Sequence, residues 1–113
     1  MALELRAWGG MHTITLEVEK YADNGRLAIQ MWCEDDGFLE PWSSLTVNIP
    51  DRELTDENCA FIDTNNNGEE ICHWLIENKL AEHTNRRVTS GFWSYPEFRF
   101  NMAEVAKHLV KEA

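Results

Sequence analysis

At 113 residues the chain has room for one hydrophobic core and no second domain, and its apolar and charged fractions, 43% and 27%, are those of a folded globular protein. It carries 20 acids against 10 bases, a formal net charge of −10, which works against direct binding to nucleic-acid phosphates. No stretch approaches the ~20 apolar residues of a membrane-spanning helix, and Met1 to Gly10 lacks the apolar run of an export signal, so a cytoplasmic location is expected.

In chain order, Ile14, Leu16 and Val18 alternate with Thr15, Glu17 and Glu19, the period of a half-buried strand. Asp23-Asn24-Gly25 supplies residues that tolerate positive φ and predicts a hairpin turn. A second strand follows, with Leu27, Ile29, Met31 and Cys33 facing the core. Asp35-Asp36-Gly37 predicts another turn, and Leu45, Val47 and Ile49 alternate as a third strand that Pro50 ends. The first fifty residues therefore read as an antiparallel meander with one buried face.

Asp51 to Asn58 is a polar connection, and Cys59 to Ile62 is a short apolar run that suits a fourth strand. A first helix is predicted to begin near Asn67, capped with Glu70, and to bury Ile71, Cys72, Leu75, Ile76 and Leu80. His83 to Gly91 reads as a polar loop carrying Arg86 and Arg87. Phe92 to Phe100 is dense in aromatics, but Pro96 cannot donate to a ladder, which predicts an edge strand or a strand broken by a bulge. Asn101 and Glu104 cap a terminal helix with Met102, Val105, Ala106 and Leu109 on one face and Lys107 and Lys111 toward its C-terminal end. The expected fold is α+β: an antiparallel sheet of four to five strands packed against two helices, in a single domain over residues 1–113.

The charge is unevenly spread. Between Glu34 and Glu70 there are eleven acids and one base, Arg52, while the flanks balance nine against nine. Such a field concerns binding more than catalysis. The turn after the second strand and the connection before the fourth supply the candidate partner-binding carboxylates: Asp35, Asp36, Glu40, Asp51, Glu53, Asp56 and Glu57. They would stand in for nucleic-acid phosphates toward the Lys and Arg of a protein with a basic groove, such as a nucleic-acid-binding nuclease.

Asp63-Thr-Asn65-Asn-Asn67-Gly68 matches the opening of an EF-hand calcium loop, but the twelfth position is Trp74 where the bidentate Glu belongs. Asp63, Asn65 and Asn67 are thus a weak metal candidate beside a simpler reading as a turn and helix cap. Cys33, Cys59 and Cys72 are odd in number and widely spaced, as expected of reduced thiols, and the adjacent Cys72 and His73 diverge too far on a helix to share a zinc ion. Ser94 lacks a nucleophile elbow, the four histidines have no acid or serine at a telling spacing, and no glycine-rich phosphate loop occurs. A non-enzymatic protein without catalytic residues or cofactor is the expectation, with a small calcium-binding module or a housekeeping domain as alternatives.

Tyr21 to Ile29 (YADNGRLAI), Leu45 to Pro50 (LTVNIP), Ala60 to Asn66 (AFIDTNN) and Ser90 to Phe100 (SGFWSYPEFRF) follow one another in order. Together they resemble a family of small proteins, known as a domain of unknown function, encoded in bacteria largely on conjugative elements, plasmids and phages. The resemblance runs from about residue 13 to 100, within a core of 10–100. The helix of residues 101–113 and the acids at Asp35-Asp36 stand out from the family pattern. The resemblance brings no catalytic residues. It implies the company of mobile elements, whose small acidic proteins often inhibit host defences such as CRISPR or restriction nucleases.

Overall fold

The computed structural model describes residues 1–7 and 9–110. Strands β1 (Leu3–Ala7), β2 (Gly10–Lys20), β3 (Leu27–Asp35) and β4 (Phe38–Ser44) form one sheet, in that spatial order and antiparallel throughout. Ile14 faces Leu3 on one side and Cys33 on the other, and Leu16 faces Met31, so one apolar row crosses the sheet. Ile14, Leu16 and Met31 are wholly buried.

The second sheet contains β5 (Thr46–Val47), β6 (Cys59–Ile62), β7 (Ala81–Ser90) and β8 (Trp93–Phe100), in the order β5-β6-β8-β7. Helices α1 (Thr64–Asn67) and α2 (Glu70–Glu77) follow β6, and α3 (Met102–Val105) runs into a 3-10 turn, Ala106–His108. The main core lies between the apolar row of the first sheet, α2, and the inner face of the second sheet, with Ala60, Ile62, Phe98 and Phe100 contributing. A smaller cluster of Ile49, Phe61 and Tyr95 fills the other face of the second sheet. That sheet is covered on both faces, which is why all four residues of β6 are buried.

The class is α+β, as expected, and richer in strand. The third meander strand is corrected. Phe38–Ser44 pairs with β3, whereas the Leu45–Ile49 segment leaves the first sheet. Leu45 N–H still bonds Ile29 O at 2.9 Å, but Asp63 N–H bonds Leu45 O at 3.0 Å, so the chain crosses between sheets there. The alternation of Leu45 and Ile49 correctly marked buried positions. It did not say which sheet they serve.

Other expectations change as well. The first helix is not capped at Asn67. Asp63 caps α1, accepting from Asn66 N–H, and Gly68 at φ 78° separates α1 from α2. On α2, Ile76 is exposed and Trp74 takes its place in the core. The stretch read as a loop from His83 to Gly91 belongs, as far as Ser90, to strand β7, a solvent-facing edge strand that therefore has no apolar period. β8 lies inside the sheet, and the bulge expected from Pro96 is on its neighbour, where the register of β7 shifts between His83 and Arg87.

The terminal helix is short. Asn101 caps it, accepting from Glu104 N–H as predicted, but Ala106 and Leu109 are exposed and His108 is buried instead. His108 Nδ1 donates to the Met1 carbonyl at 2.9 Å, and Val110 N–H bonds Leu16 O at 2.8 Å, which ties the segment to the first sheet. Lys111 lies outside the described residues.

Candidate functional site

The first acidic element is the β3–β4 hairpin. Asp35 pairs with Phe38, and the two residues between them, Asp36 at φ 49° and Gly37 at φ 81°, both take the left-handed conformation that a tight two-residue turn needs. Asp tolerates this region better than most side chains, and Gly without cost. The turn projects Asp35 and Asp36 past the sheet end, with Glu34 and Glu40 just behind. Among the described residues none of these four carboxylates has an ion-pair or hydrogen-bond partner. Between them Phe38 is 72% and Leu39 43% exposed, on the edge strand of the sheet. Burial, followed by Asp35, raises the Cys33 thiol pKa, with a smaller push from Glu40.

The second acidic element, the connection from Asp51 to Asn58, is different because arginines pair with two of its acids, Asp51 and Asp56. Arg52 pairs with Asp51 at 3.3 Å and donates to Thr89 O at 3.2 Å. Arg86 donates to the Glu53 carbonyl at 3.1 Å, and Arg99 Nε to Asp56 Oδ2 at 2.9 Å. The hydrogen bond from Arg99, then that from Asn58 N–H, holds the Asp56 carboxyl below the ordinary carboxylate range. Glu57 has no such partner among the described residues.

The two elements lie apart. Asn48 bonds Asp23 and Asn24 at 3.0 Å each, and Arg26 Nη1 bonds Ile49 O at 2.9 Å. The connection therefore leaves from the Leu27 end of β3, while Asp35 marks the other end. Eight residue steps at ~3.3 Å separate these ends by roughly 26 Å. Asp35, Asp36 and Glu40 form one group; Asp51, Glu53, Asp56 and Glu57 form another.

The calcium-like stretch is occupied with its own backbone. Asp63 is buried, its Oδ1 accepting from Asn66 N–H at 3.2 Å and its Oδ2 from Asn66 Nδ2 at 2.8 Å. Asn67 Nδ2 donates to Ser44 O and Asp63 O, both at 2.9 Å, while Asn65 points to solvent. Among the described residues no group of three or more His, Cys, Asp or Glu side chains is placed to hold a metal ion.

The family's sequence profile, Domain of unknown function (DUF4313), matches residues 15–112. The chain belongs to this family. No curated protein and no solved structure matches it. In this DUF4313 chain the match takes in both acidic elements and runs through the segment after Asn101, so that segment is part of the family pattern and not an addition to it. Strand β1 lies before the match.

The polar centre that sequence reasoning missed is Glu97. Its side chain is wholly buried on β8, facing Phe61 of β6. Its carboxylate accepts from Thr55 N–H at 2.7 Å, from the Thr55 and Thr84 hydroxyls at 2.6 Å each, and from Arg86 Nη1 at 2.8 Å. Burial alone would raise this carboxyl's pKa, but the bonds from Thr55 and Thr84 and the Arg86 charge outweigh it and lower the value. The only local hint was an acid between Pro96 and Phe98 in an aromatic-rich run. Burial pushes the thiols of Cys59 and Cys72 up to about 11 each, so neither is an activated nucleophile.

Proposed function

We propose that this DUF4313 protein is a non-enzymatic interaction protein of a mobile genetic element, and that it docks on a partner protein through the acidic β3–β4 hairpin. The partner presents a basic groove of the kind that binds nucleic acid, as a CRISPR or restriction nuclease does, and the carboxylates occupy the places of phosphates. One observation carries the reading: Glu34, Asp35, Asp36 and Glu40 lie at the turn end of the hairpin beside the exposed Phe38 and Leu39 and are not paired by any described residue. A partner that neutralises these charges meets no competitor among the described residues, and the two apolar side chains, one on each face of the hairpin, add contact area beside the carboxylates. The connection from Asp51 to Glu57 is the lesser contributor, because Arg52 already pairs with Asp51 and Arg99 with Asp56.

The test is capture of a partner from host lysate by the tagged protein at about 50 mM salt, with washes of rising ionic strength. The D35N/D36N/E40Q variant is expected to lose the captured protein, and the D51N/E53Q/E57Q variant to keep it. Capture that survives in the hairpin variant would remove the hairpin from the interface.

A further inference from the structure

Among the described residues, strand β1 leaves part of its backbone unpaired beside a groove. In an antiparallel pair, residues alternate between those that exchange hydrogen bonds with the neighbour and those that turn both N–H and C=O away. The phase in β1 is set by Glu4, whose carbonyl faces outward and accepts a 2.7 Å bond from the Trp74 indole N–H of α2. Two residues on, Arg6 has the same phase. It is paired with Met11 in register and presents its N–H and C=O to the open side. Past the Trp74 contact, a groove of about 1020 Å³ opens between β1, the end of β4 and the two helices α1 and α2. Leu5, Trp42, Ile71 and Trp74 supply its apolar lining, and Glu70 and Glu77 line its helix side.

We infer that this groove takes an extended basic peptide, which adds as a strand to the outer edge of β1. Strand addition satisfies the Arg6 N–H and C=O with main-chain bonds, as Trp74 already satisfies the Glu4 carbonyl. Every second side chain of the incoming strand then enters the apolar lining, and its neighbours face the rim. The charge of that rim selects the occupant: Glu4, Glu70 and Glu77 stand against Arg6, so Lys or Arg in the peptide is favoured and acid is disfavoured. This surface is separate from the β3–β4 hairpin and its use does not depend on the hairpin's.

The probe is a dye-labelled, end-blocked peptide of about nine residues alternating Val and Lys. Its controls are the same peptide with Glu in place of Lys, and a version N-methylated at alternate amides. Anisotropy titration of the whole protein is expected to show saturable binding by the Lys peptide, weakened ~10-fold or more in the Glu peptide and abolished by N-methylation. Arg6→Pro removes the outward N–H together with the Arg6 charge, and Arg6→Ala the charge alone, so binding should be abolished in the first and kept or strengthened in the second, while the circular dichroism spectrum and melting temperature of both stay near those of the parent. If the proline variant does not fold, the N-methylated peptide on the parent protein decides. Equal binding by the N-methylated peptide or by folded Arg6→Pro overturns strand addition, and equal binding by the Glu peptide overturns the charge selection. The inference also falls if no binding saturates by millimolar peptide, or if a second copy of the chain occupies the edge, detected as a concentration-dependent dimer that excludes the peptide.

Discussion

Arg86 reaches back across the β7 bulge to place Nη1 2.8 Å from Oε2 of Glu97, a carboxylate with no solvent exposure. Between the register pairs His83–Phe98 and Arg87–Pro96, three residues of β7 lie opposite Glu97 alone. Asn85 takes φ 70° to make this possible, and the detour turns Thr84 and Arg86 toward the carboxylate. Pro96 offers no N–H, so the ladder is interrupted where it had least to lose. The same carboxylate holds Thr55, and with it the middle of the acidic connection, against the second sheet.

Glu97→Ala would leave the Thr55 N–H and hydroxyl and one side of Arg86 without their carboxylate acceptor, and Thr84 with only the carbonyl of residue 97 at 3.2 Å. Breaking a buried charged pair costs about 3–5 kcal/mol, and because Arg86 is 43% exposed and can be rehydrated, the lower part of that range is expected. Glu97→Gln keeps the volume but sets an NH₂ donor against other donors, at about 1–3 kcal/mol. Urea unfolding measures both. A loss below ~0.5 kcal/mol in the alanine variant would contradict the account of Glu97 as the anchor.

The alternating runs Ile14 to Val18 and Leu27 to Cys33 and the turns beside them were legible because each depends on neighbours in sequence. β7 was not: only Ala81 is buried, and an edge strand facing water has no apolar period to read. β4 hid in the same way, since Phe38 and Leu39 are adjacent and both exposed, and Pro41 argues against a strand. The Asp35-Asp36-Gly37 turn could be read from local chemistry alone. Its distance from the second acidic element could not, because that rests on Asn48 meeting Asp23 and Asn24 across 25 and 24 positions. The Glu97 site joins residues 42, 13 and 11 positions away and leaves no spacing signature.

The lowered Glu97 and Asp56 carboxyls give stability a pH dependence of definite sign. Each group binds its proton less tightly folded than unfolded, so its contribution is complete above the unfolded carboxylate value of ~4 and is lost as pH falls through the folded value. Stability is therefore expected to hold from neutral pH down to about pH 5 and to drop below it. In Glu97→Gln the acid-side drop should be shallower, because one of the two groups no longer titrates. An identical acid limb in parent and variant would show that Glu97 takes up its proton equally in both states.

Asp63 spends both carboxylate oxygens on Asn66, and Asn67 is committed to Ser44 and the Asp63 carbonyl. Asp63→Ala is expected to cost about 1–2 kcal/mol through loss of the α1 cap. Because these groups are already engaged, calcium at ~1 mM should leave the melting temperature of the parent where chelator leaves it. An ion that binds the native state with Kd near or below that concentration would raise it. A calcium-dependent rise that disappears in Asp63→Ala would restore the metal reading.

The two acidic elements should also differ in what their charges do for folding. Asp35, Asp36 and Glu40 repel one another with no described cation to offset them, so removing their charge relieves strain between like charges and breaks nothing. Asn at position 36 keeps the tolerance for left-handed backbone that its φ of 49° requires. The D35N/D36N/E40Q variant is therefore expected to stay within ~0.5 kcal/mol of the parent, and to gain most at low ionic strength where repulsion is least screened. Asp56→Asn should move the other way, since it weakens the bond that Arg99 makes at 2.9 Å and leaves Cys59 and Asn58 a poorer acceptor. Thermal melts of both variants at low and high salt separate the cases. If the hairpin variant loses stability and its loss shrinks with added salt, its carboxylates have a cationic partner and are not the unpaired charge on which docking relies.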